Sequence, residues 1–480
     1  MIFNSVPFLI FYLIVLTFFY TLPGKLKWFF LIAAGAFFYM YFIPSYILLL
    51  LLLIVIDFNT ALLMGKSKNT KRKVFLLVSI CSNLGLLFIF KYFDFLNLNL
   101  NQLAKIIHWN YPLETLKLII PLGLSFHTFQ SISYIVDVYK RKWKAEKNFF
   151  KYCLYVMFFP QMVAGPIERP SNLLPQLFQK VKTDPENLYL GFQRILFGLL
   201  KKIVIADNLA ILVNKVYLDP QSYIGFPLIL ATIAFAVQIY CDFSGYSDIA
   251  IGIARTLGIK LDENFKSPYF ASSISNFWRR WHITLYNWFR DYVYIPLGGN
   301  KLGQPRHYLN ILIVFTLSGL WHGAAWTYII WGLIHGIYLV TENILGKFIK
   351  IKLPGLIKIA LTFSLVNIAW IFFRAKNLTD ALYIITHLQS GFGSLLIHIK
   401  NFDLTAVKNY LLYQNGNLGL TNTSIAALML IITILFIFEK KSNSFFNFPR
   451  PLRWAINVAI CLTILNFSIG IKEPFIYFQF

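Results

Sequence analysis

Imidazole is the side chain best suited to move a proton near neutral pH, and this 480-residue chain carries eight histidines. His322 stands in Ser318-Gly319-Leu320-Trp321-His322-Gly323, inside an apolar block running from 308 to 346. An ionisable group at membrane depth is costly and is by default a candidate for function. Its small neighbours Gly319, Gly323, Ala324 and Ala325 let a substrate or a second helix approach closely. Residue physics leaves two readings of His322 open, a proton-moving group or a histidine satisfied by one interhelical hydrogen bond. His335, in Trp331-Gly332-Leu333-Ile334-His335-Gly336, shares the burial argument. His282 lies in Arg279-Arg280-Trp281-His282, where a surface histidine is equally compatible with the pattern. His127, in Ser125-Phe126-His127-Thr128, reads as a packed polar residue within a span.

Carboxylates form a second group. Asp242 and Asp248 sit in Tyr240-Cys241-Asp242-Phe243-Ser244-Gly245-Tyr246-Ser247-Asp248. They could line a polar conduit, bind a cation or pair with arginines, and buried charge is usually paired; the arginines of 279–290 are the expected partners. No H-E-x-x-H, no C-x-x-C and no compact ligand set points to a metal. G-x-S-x-G and G-x-x-x-x-G-K-[ST] are also absent, which disfavours serine hydrolysis and ATP-driven transport.

The elements that must position these groups are membrane helices. Hydrophobic residues make up 58% of the chain and charged residues 13%, half the charged share of an ordinary soluble protein. A bilayer core of ~30 Å needs about 20 helical residues. Apolar blocks near 6–22, 28–43, 46–64, 74–96, 117–138, 149–165, 190–215, 225–256, 308–346, 356–375, 424–439 and 453–472 meet or approach that length. Blocks 225–256 and 308–346 have room for two segments or one broken helix, so ten to thirteen membrane segments are expected. With no repeat and no large polar region, residues 1–480 read as a single membrane-embedded domain.

The net charge of +24 is arranged by topology. Lys25 and Lys27, then Lys66 to Lys73, then Lys140 to Lys151 occupy every second loop, whereas 44–45 and 97–115 carry little net charge. Positive-inside logic places those loops in the cytoplasm and the N-terminus outside. No soluble basic module exists to bind nucleic acid. Residues 274–291 read as one aromatic and basic amphipathic helix, capped by Ser273 or Ser275. It would lie at the bilayer interface with its indoles at the headgroups.

Longer motifs carry a resemblance. Glu263-Asn264-Phe265-Lys266-Ser267-Pro268-Tyr269, Phe277-Trp278-Arg279-Arg280-Trp281-His282, Trp288-Phe289-Arg290-Asp291-Tyr292, Tyr294-Ile295-Pro296-Leu297-Gly298-Gly299-Asn300 and Leu320-Trp321-His322-Gly323 follow one another in order. Pro121 to Phe126, Phe159 to Pro166 and Asp242 to Asp248 add to the set, giving a motif-bearing core of about 120–336. Together they resemble the membrane-bound O-acyltransferases, in particular the branch serving alginate O-acetylation.

The resemblance implies an all-α polytopic fold, a ring of tilted helices around a thinned centre in a bacterial inner membrane. It implies that His322 is catalytic and His282 the second essential histidine. Acetyl-coenzyme A would be the donor, an extracytoplasmic polysaccharide the acceptor, and a periplasmic partner of the SGNH acetyltransferase type would complete transfer. Arg279, Arg280 and Arg290 would meet the donor's phosphates, since guanidinium suits phosphate geometry, or else contact lipid headgroups. Two other functions stay open, D-alanyl transfer to teichoic acid and, from a different class, polysaccharide export or proton-coupled transport through the histidines.

Overall fold

The computed structural model describes residues 1–181, 184–348, 353–391 and 449–468, with scattered positions between 393 and 436 and residues 474–476. His398, most of the polar stretch 398–423 and much of the block 424–439 lie outside the described residues. Every regular element among the described residues is helical. Among the described residues, five helices are long and apolar enough to cross a membrane: Tyr46–Lys66, Asn69–Ile106, Phe226–Thr256, Trp326–Phe348 and Gly355–Arg374. Val6–Thr21 and Leu26–Met40 are apolar but shorter. Burial is inverted relative to a soluble protein. Leu9, Ile10, Leu48 and Leu52 are exposed while Asp57, Asn83, Lys202 and Asp242 are buried, as expected where lipid is the solvent. The protein is an all-α, multi-pass membrane protein.

Contacts group the chain into two compact units. The first comprises Met1–Ile195, Tyr246–Glu263 and Asn287–Val293. It opens with α1 (Val6–Thr21), α2 (Leu26–Met40) and α3 (Tyr46–Lys66). Ser5 caps α1 by accepting from the Phe8 N–H at 3.3 Å. Next come α4 (Asn69–Leu87), a π-helical turn at Phe88–Tyr92 and α5 (Phe93–Ile106). These three form one continuous 38-residue helix. The unit continues with α6 (Leu124–Tyr139), α7 (Phe149–Met157) and the single turn α8 (Pro170–Leu173). The expected span at 149–165 is therefore only half helical, because the chain turns at Phe159-Pro160 and Pro cannot continue a helix. Arg72, in the first turn of α4, has a structural task. Its guanidinium donates to the carbonyls of Met64, Val138 and Tyr139, tying α4 to the C-terminal ends of α3 and α6.

The second unit comprises Leu196–Gly245, Asn264–Tyr286 and Tyr294–Phe480. The expected span 190–215 is α9 (Pro185–Leu199) running through a π-helical turn at Leu200–Ala206 into α10 (Asp207–Leu218). The block 225–256 is one helix, α11 (Phe226–Thr256), and α9 and α11 both begin in one unit and end in the other.

The expected single helix over 274–291 is instead two short ones, α12 (Ile274–Trp278) and α13 (Ile283–Phe289), broken at His282, where φ is +43°. Ser273, not Ser275, caps α12, accepting from the Asn276 N–H at 3.1 Å. Nor do its indoles sit at a lipid interface: Trp278, Trp281 and Trp288 are buried in protein. Tryptophan content alone does not separate an interfacial belt from an aromatic core. The block 308–346 is two helices, α14 (Gln304–His322) and α15 (Trp326–Phe348), followed by α16 (Gly355–Arg374), α17 (Leu378–His387) and a helix at Arg450–Phe467.

Candidate functional site

The break at His282 has a local cause and a chemical result. Residues 264–266 run alongside 280–283, with Lys266 N donating to Arg280 O and Ile283 N to Asn264 O, both at 3.0 Å. These bonds hold His282 in the left-handed region that a non-glycine residue adopts only at a cost. The Asn264 side chain supports the corner. Its Oδ1 accepts from the Thr284 N–H at 3.3 Å and from Thr284 Oγ1 at 2.8 Å, and lies 3.2 Å from His282 Nδ1. Because the Thr284 amide can only donate, the atom facing it is the carbonyl oxygen. His282 Nδ1 must then carry the hydrogen, which leaves the lone pair on Nε2. The ring is fully buried against Phe243, centroids 4.6 Å apart, and burial disfavours its imidazolium form. His282 is thereby held as a neutral imidazole in the tautomer a base requires at Nε2.

His322 ends α14, and the pairing of α14 with α15 is set by glycines. A Cβ on Gly319 would collide with the Tyr328 carbonyl, and one on Gly332 with the Phe315 carbonyl. The backbones are therefore as close as small residues permit. That seam sets the His322 ring against Trp331 at 5.0 Å, Trp321 at 4.9 Å and Phe373 at 5.4 Å between centroids. Trp321 lies 6.2 Å from His282 on its other side. One turn along α15, His335 packs on Trp331 and accepts from Trp278 Nε1 at its Nδ1, 3.3 Å away. Three buried histidines are thus joined through indoles. His335 has its lone pair engaged by Trp278, whereas His282 has Nδ1 as donor.

A buried charged cluster lies in the same unit. Lys202, on the π-helical turn, contacts Asp242 Oδ1 at 2.6 Å and Asp207 Oδ1 at 2.7 Å. Asp242 Oδ2 accepts from the Ile476 N–H at 2.8 Å. This cluster forms one wall of a cavity of about 190 Å³. Tyr328 and Phe373 form another wall, with Gln238, Thr327 and Arg374 adding polar groups. Phe373 packs on both His322 and Tyr328, so one ring separates the cavity from the His322 imidazole.

Comparison with known proteins matches residues 144–379 to the membrane-bound O-acyltransferase family. The chain is 34% identical over 456 residues to a peptidoglycan O-acetyltransferase of Helicobacter pylori, covering 86% of this chain and 83% of that one. The chain belongs to the membrane-bound O-acyltransferase family. It is also 34% identical over 431 residues to a probable alginate O-acetylase of Pseudomonas putida, covering 84% of each chain. A teichoic acid D-alanyltransferase of Bacillus subtilis is more distant, 30% identical over 276 residues, covering 53% of this chain and 69% of that one. The protein is an O-acyltransferase.

Within this acyltransferase, His322, His282 and His335 lie in one unit, and Asp242 and Asp248 are both paired. Their partners are not the arginines of 279–290. Asp242 pairs with Lys202, and Asp248 with Arg194, which also holds Glu263. An arginine one helix away in space satisfies a membrane carboxylate as well as one nearby in sequence. The three candidate phosphate-binding arginines differ. Arg279 is exposed, Arg280 is half-buried and donates to Ser267 O at 3.4 Å, and Arg290 pairs with Asp291 at 2.7 Å. Arg279 and Arg280 belong to the second unit and Arg290 to the first.

Sequence reasoning gave no role to Asn264, Lys202, Gln238 or Glu168. Lys202 carried a usable signal, a lysine inside an apolar block. Asn264 lay inside a quoted motif, but its part depends on a chain reversal that no spacing encodes. Glu168, in the first unit, is buried and accepts from the Asp262 N–H at 2.7 Å and from Asn172 Nδ2 at 2.5 Å. Burial, then the nearby Asp262, pushes its carboxyl up to about 8.

Proposed function

We propose that this O-acyltransferase takes an acetyl group from a cytoplasmic thioester, acetyl-coenzyme A, and passes it across a bacterial inner membrane for O-acetylation of an extracytoplasmic polysaccharide. The observation that carries the reading is the Asn264-held tautomer of His282, joined to His322 through Trp321. It supplies an oriented neutral imidazole one indole away from the histidine of the Trp-His-Gly motif. In the proposed step His322 removes the proton from the acceptor hydroxyl and the oxygen attacks the thioester carbonyl. The tetrahedral intermediate collapses to the ester, and the departing thiolate takes the proton back from the imidazolium. His282 orients the acceptor or steadies the developing charge. A thioester is already activated, so positioning and charge stabilisation are the protein's main contributions.

Arg279 and Arg280 are proposed to meet the donor's phosphates; Arg290, paired with Asp291, is a separate candidate for a phosphate contact. A periplasmic partner of the SGNH acetyltransferase type would receive the acyl group and complete transfer to the polymer, and the N-terminus would lie outside. The names of two relatives, a peptidoglycan O-acetyltransferase and a probable alginate O-acetylase, support a polysaccharide acceptor and an acetyl group. D-alanyl transfer to teichoic acid is the second reading, supported by the more distant relative. The test adds thioester donor to protein in bilayer nanodiscs and follows free thiol. Donor-dependent thiol release that His322→Ala abolishes supports the reading; solute flux without donor consumption would replace it with transport.

A further inference from the structure

One of the indoles packed on His322 has a hydrogen to give that no neighbouring group accepts. Trp331 lies on α15, is only 1% exposed and stands perpendicular to the His322 ring, centroids 5.0 Å apart. Its Nε1 has no hydrogen-bond partner among the described residues. An indole nitrogen can only donate, and a buried one ordinarily finds an acceptor. Trp278 shows the ordinary case, giving its N–H to His335 Nδ1. An unmet donor in the Trp331 position is unfavourable by an amount comparable to a lost hydrogen bond. The close contacts of Gly319 and Gly332 along the α14–α15 seam nevertheless fix the indole there.

The acyl-transfer step creates the missing acceptor. When an oxygen deprotonated by His322 attacks the thioester, the carbonyl π pair moves onto its oxygen. That oxyanion and the attacking oxygen share one carbon, so the charge develops beside the His322 ring, where Trp331 lies. The attacking oxygen is a poorer match, because it needs its lone pair for the new bond. A fixed N–H in a site closed to water is worth most to such a developing charge. Phe373 packs on Trp331 at 5.0 Å and on His322 at 5.4 Å, so displacing one ring opens both to the adjoining cavity, whichever substrate fills it.

Building on the acyl-transfer reading, we infer that Trp331 is a catalytic residue, the donor that stabilises the oxyanion in this enzyme. Its Nε1–H donates to the former carbonyl oxygen of the tetrahedral intermediate while His322 holds the proton of the attacking hydroxyl. Trp331 neither gains nor loses a proton. As the intermediate collapses, the electron pair returns from oxygen to carbon, the C–S bond breaks, and the thiolate takes the proton from the imidazolium.

The test uses full-length protein in nanodiscs, with acetyl-coenzyme A as donor and free thiol as the readout. Benzothienylalanine, placed at position 331 by stop-codon suppression, keeps the shape of the indole and puts sulfur where the N–H was. Fluorotryptophan at the same position keeps the N–H and serves as the rescue. Thiol release at saturating donor is expected to fall about 10²–10³-fold with benzothienylalanine and to stay near wild type with fluorotryptophan. Trp331→Phe, which also lacks the N–H, should lose at least as much rate. S-ethyl-coenzyme A, a thioether without the carbonyl, should inhibit the wild-type, benzothienylalanine and fluorotryptophan proteins equally, since binding of the ground-state donor does not use the N–H. If the benzothienylalanine protein matches wild type while His322→Ala releases no thiol, the oxyanion role is wrong and the acyl-transfer reading stands. A rate loss matched by weaker S-ethyl-coenzyme A inhibition would overturn the role in favour of donor binding, and a loss shared by fluorotryptophan would overturn it in favour of packing. Thiol release by wild type no greater than by His322→Ala would remove the reading on which the inference rests.

Discussion

Asn264→Leu separates the structural and chemical consequences of the His282 corner. Leucine keeps the branching and heavy-atom count of asparagine but removes the oxygen that faces Thr284 N, Thr284 Oγ1 and His282 Nδ1. The Thr284 amide and the imidazole N–H then lose this acceptor. At ~1–3 kcal/mol each, the loss is about 2–6 kcal/mol of stability. The kinetic loss has a different origin. Without a carbonyl at Nδ1 the imidazole is free to place its hydrogen on Nε2, and the lone pair that orients the acceptor is lost. Misplacing a positioning group lowers rate by about 10²-fold. Asn264→Asp keeps an acceptor oxygen and should retain most of the rate. The assay is thiol release in nanodiscs at matched protein, with a thermal melt on the same samples. If Asn264→Leu turns over donor like wild type while His282→Ala does not, the tautomer argument is refuted. Equal inactivation by both Asn264 variants would equally contradict it.

Three further outcomes follow from other parts of the molecule. Lys202→Met strands Asp207 and Asp242 as buried carboxylates, so it should cost roughly 3–5 kcal/mol; thermal melts should show Lys202→Met combined with Asp242→Asn and Asp207→Asn recovering part of that loss. Gly332→Val drives a branched side chain into the Phe315 carbonyl of α14, and should lower both melting temperature and activity by parting His322 from Trp331, whereas Gly346→Ala, with open space around it, should do neither. Glu168, whose carboxyl is pushed up to about 8 from an ordinary 4.5, binds more protons folded than unfolded between those values. Its contribution is therefore full below about pH 4.5 and declines as pH rises to about 8, by at most ~1.4 kcal/mol per unit. Glu168→Ala should remove that slope in pH-dependent melts while lowering stability overall, since it frees the Asp262 amide.

How far the sequence could be read follows the range of each interaction. Apolar blocks report burial in lipid directly, so the helices of 46–66, 226–256 and 355–374 lie close to where hydropathy places them. The two-helix option within 308–346 is realised by α14 and α15, because Gly323-Ala324-Ala325 breaks the run. The failures are contacts between segments distant in sequence. Residues 274–291 have the composition of an amphipathic helix, yet backbone pairing of 264–266 with 280–283 breaks it at His282. The local pattern is overruled by two hydrogen bonds that no periodicity reveals. Asp248 has its cation 54 positions away, in Arg194. The histidines of the motifs were visible as residue types; which nitrogen of His282 carries the hydrogen was not, because that depends on one rotamer of Asn264.

The most direct test of the account compares cells carrying wild-type protein with cells carrying His322→Ala at equal membrane abundance. Base-labile acyl groups on isolated surface polysaccharide are identified and quantified. The account predicts acetate on wild-type polymer and its loss in the variant. D-alanine in place of acetate would move the protein to the second reading, and identical acyl groups in both strains, with deletion altering only polymer export, would contradict acyl transfer through His322.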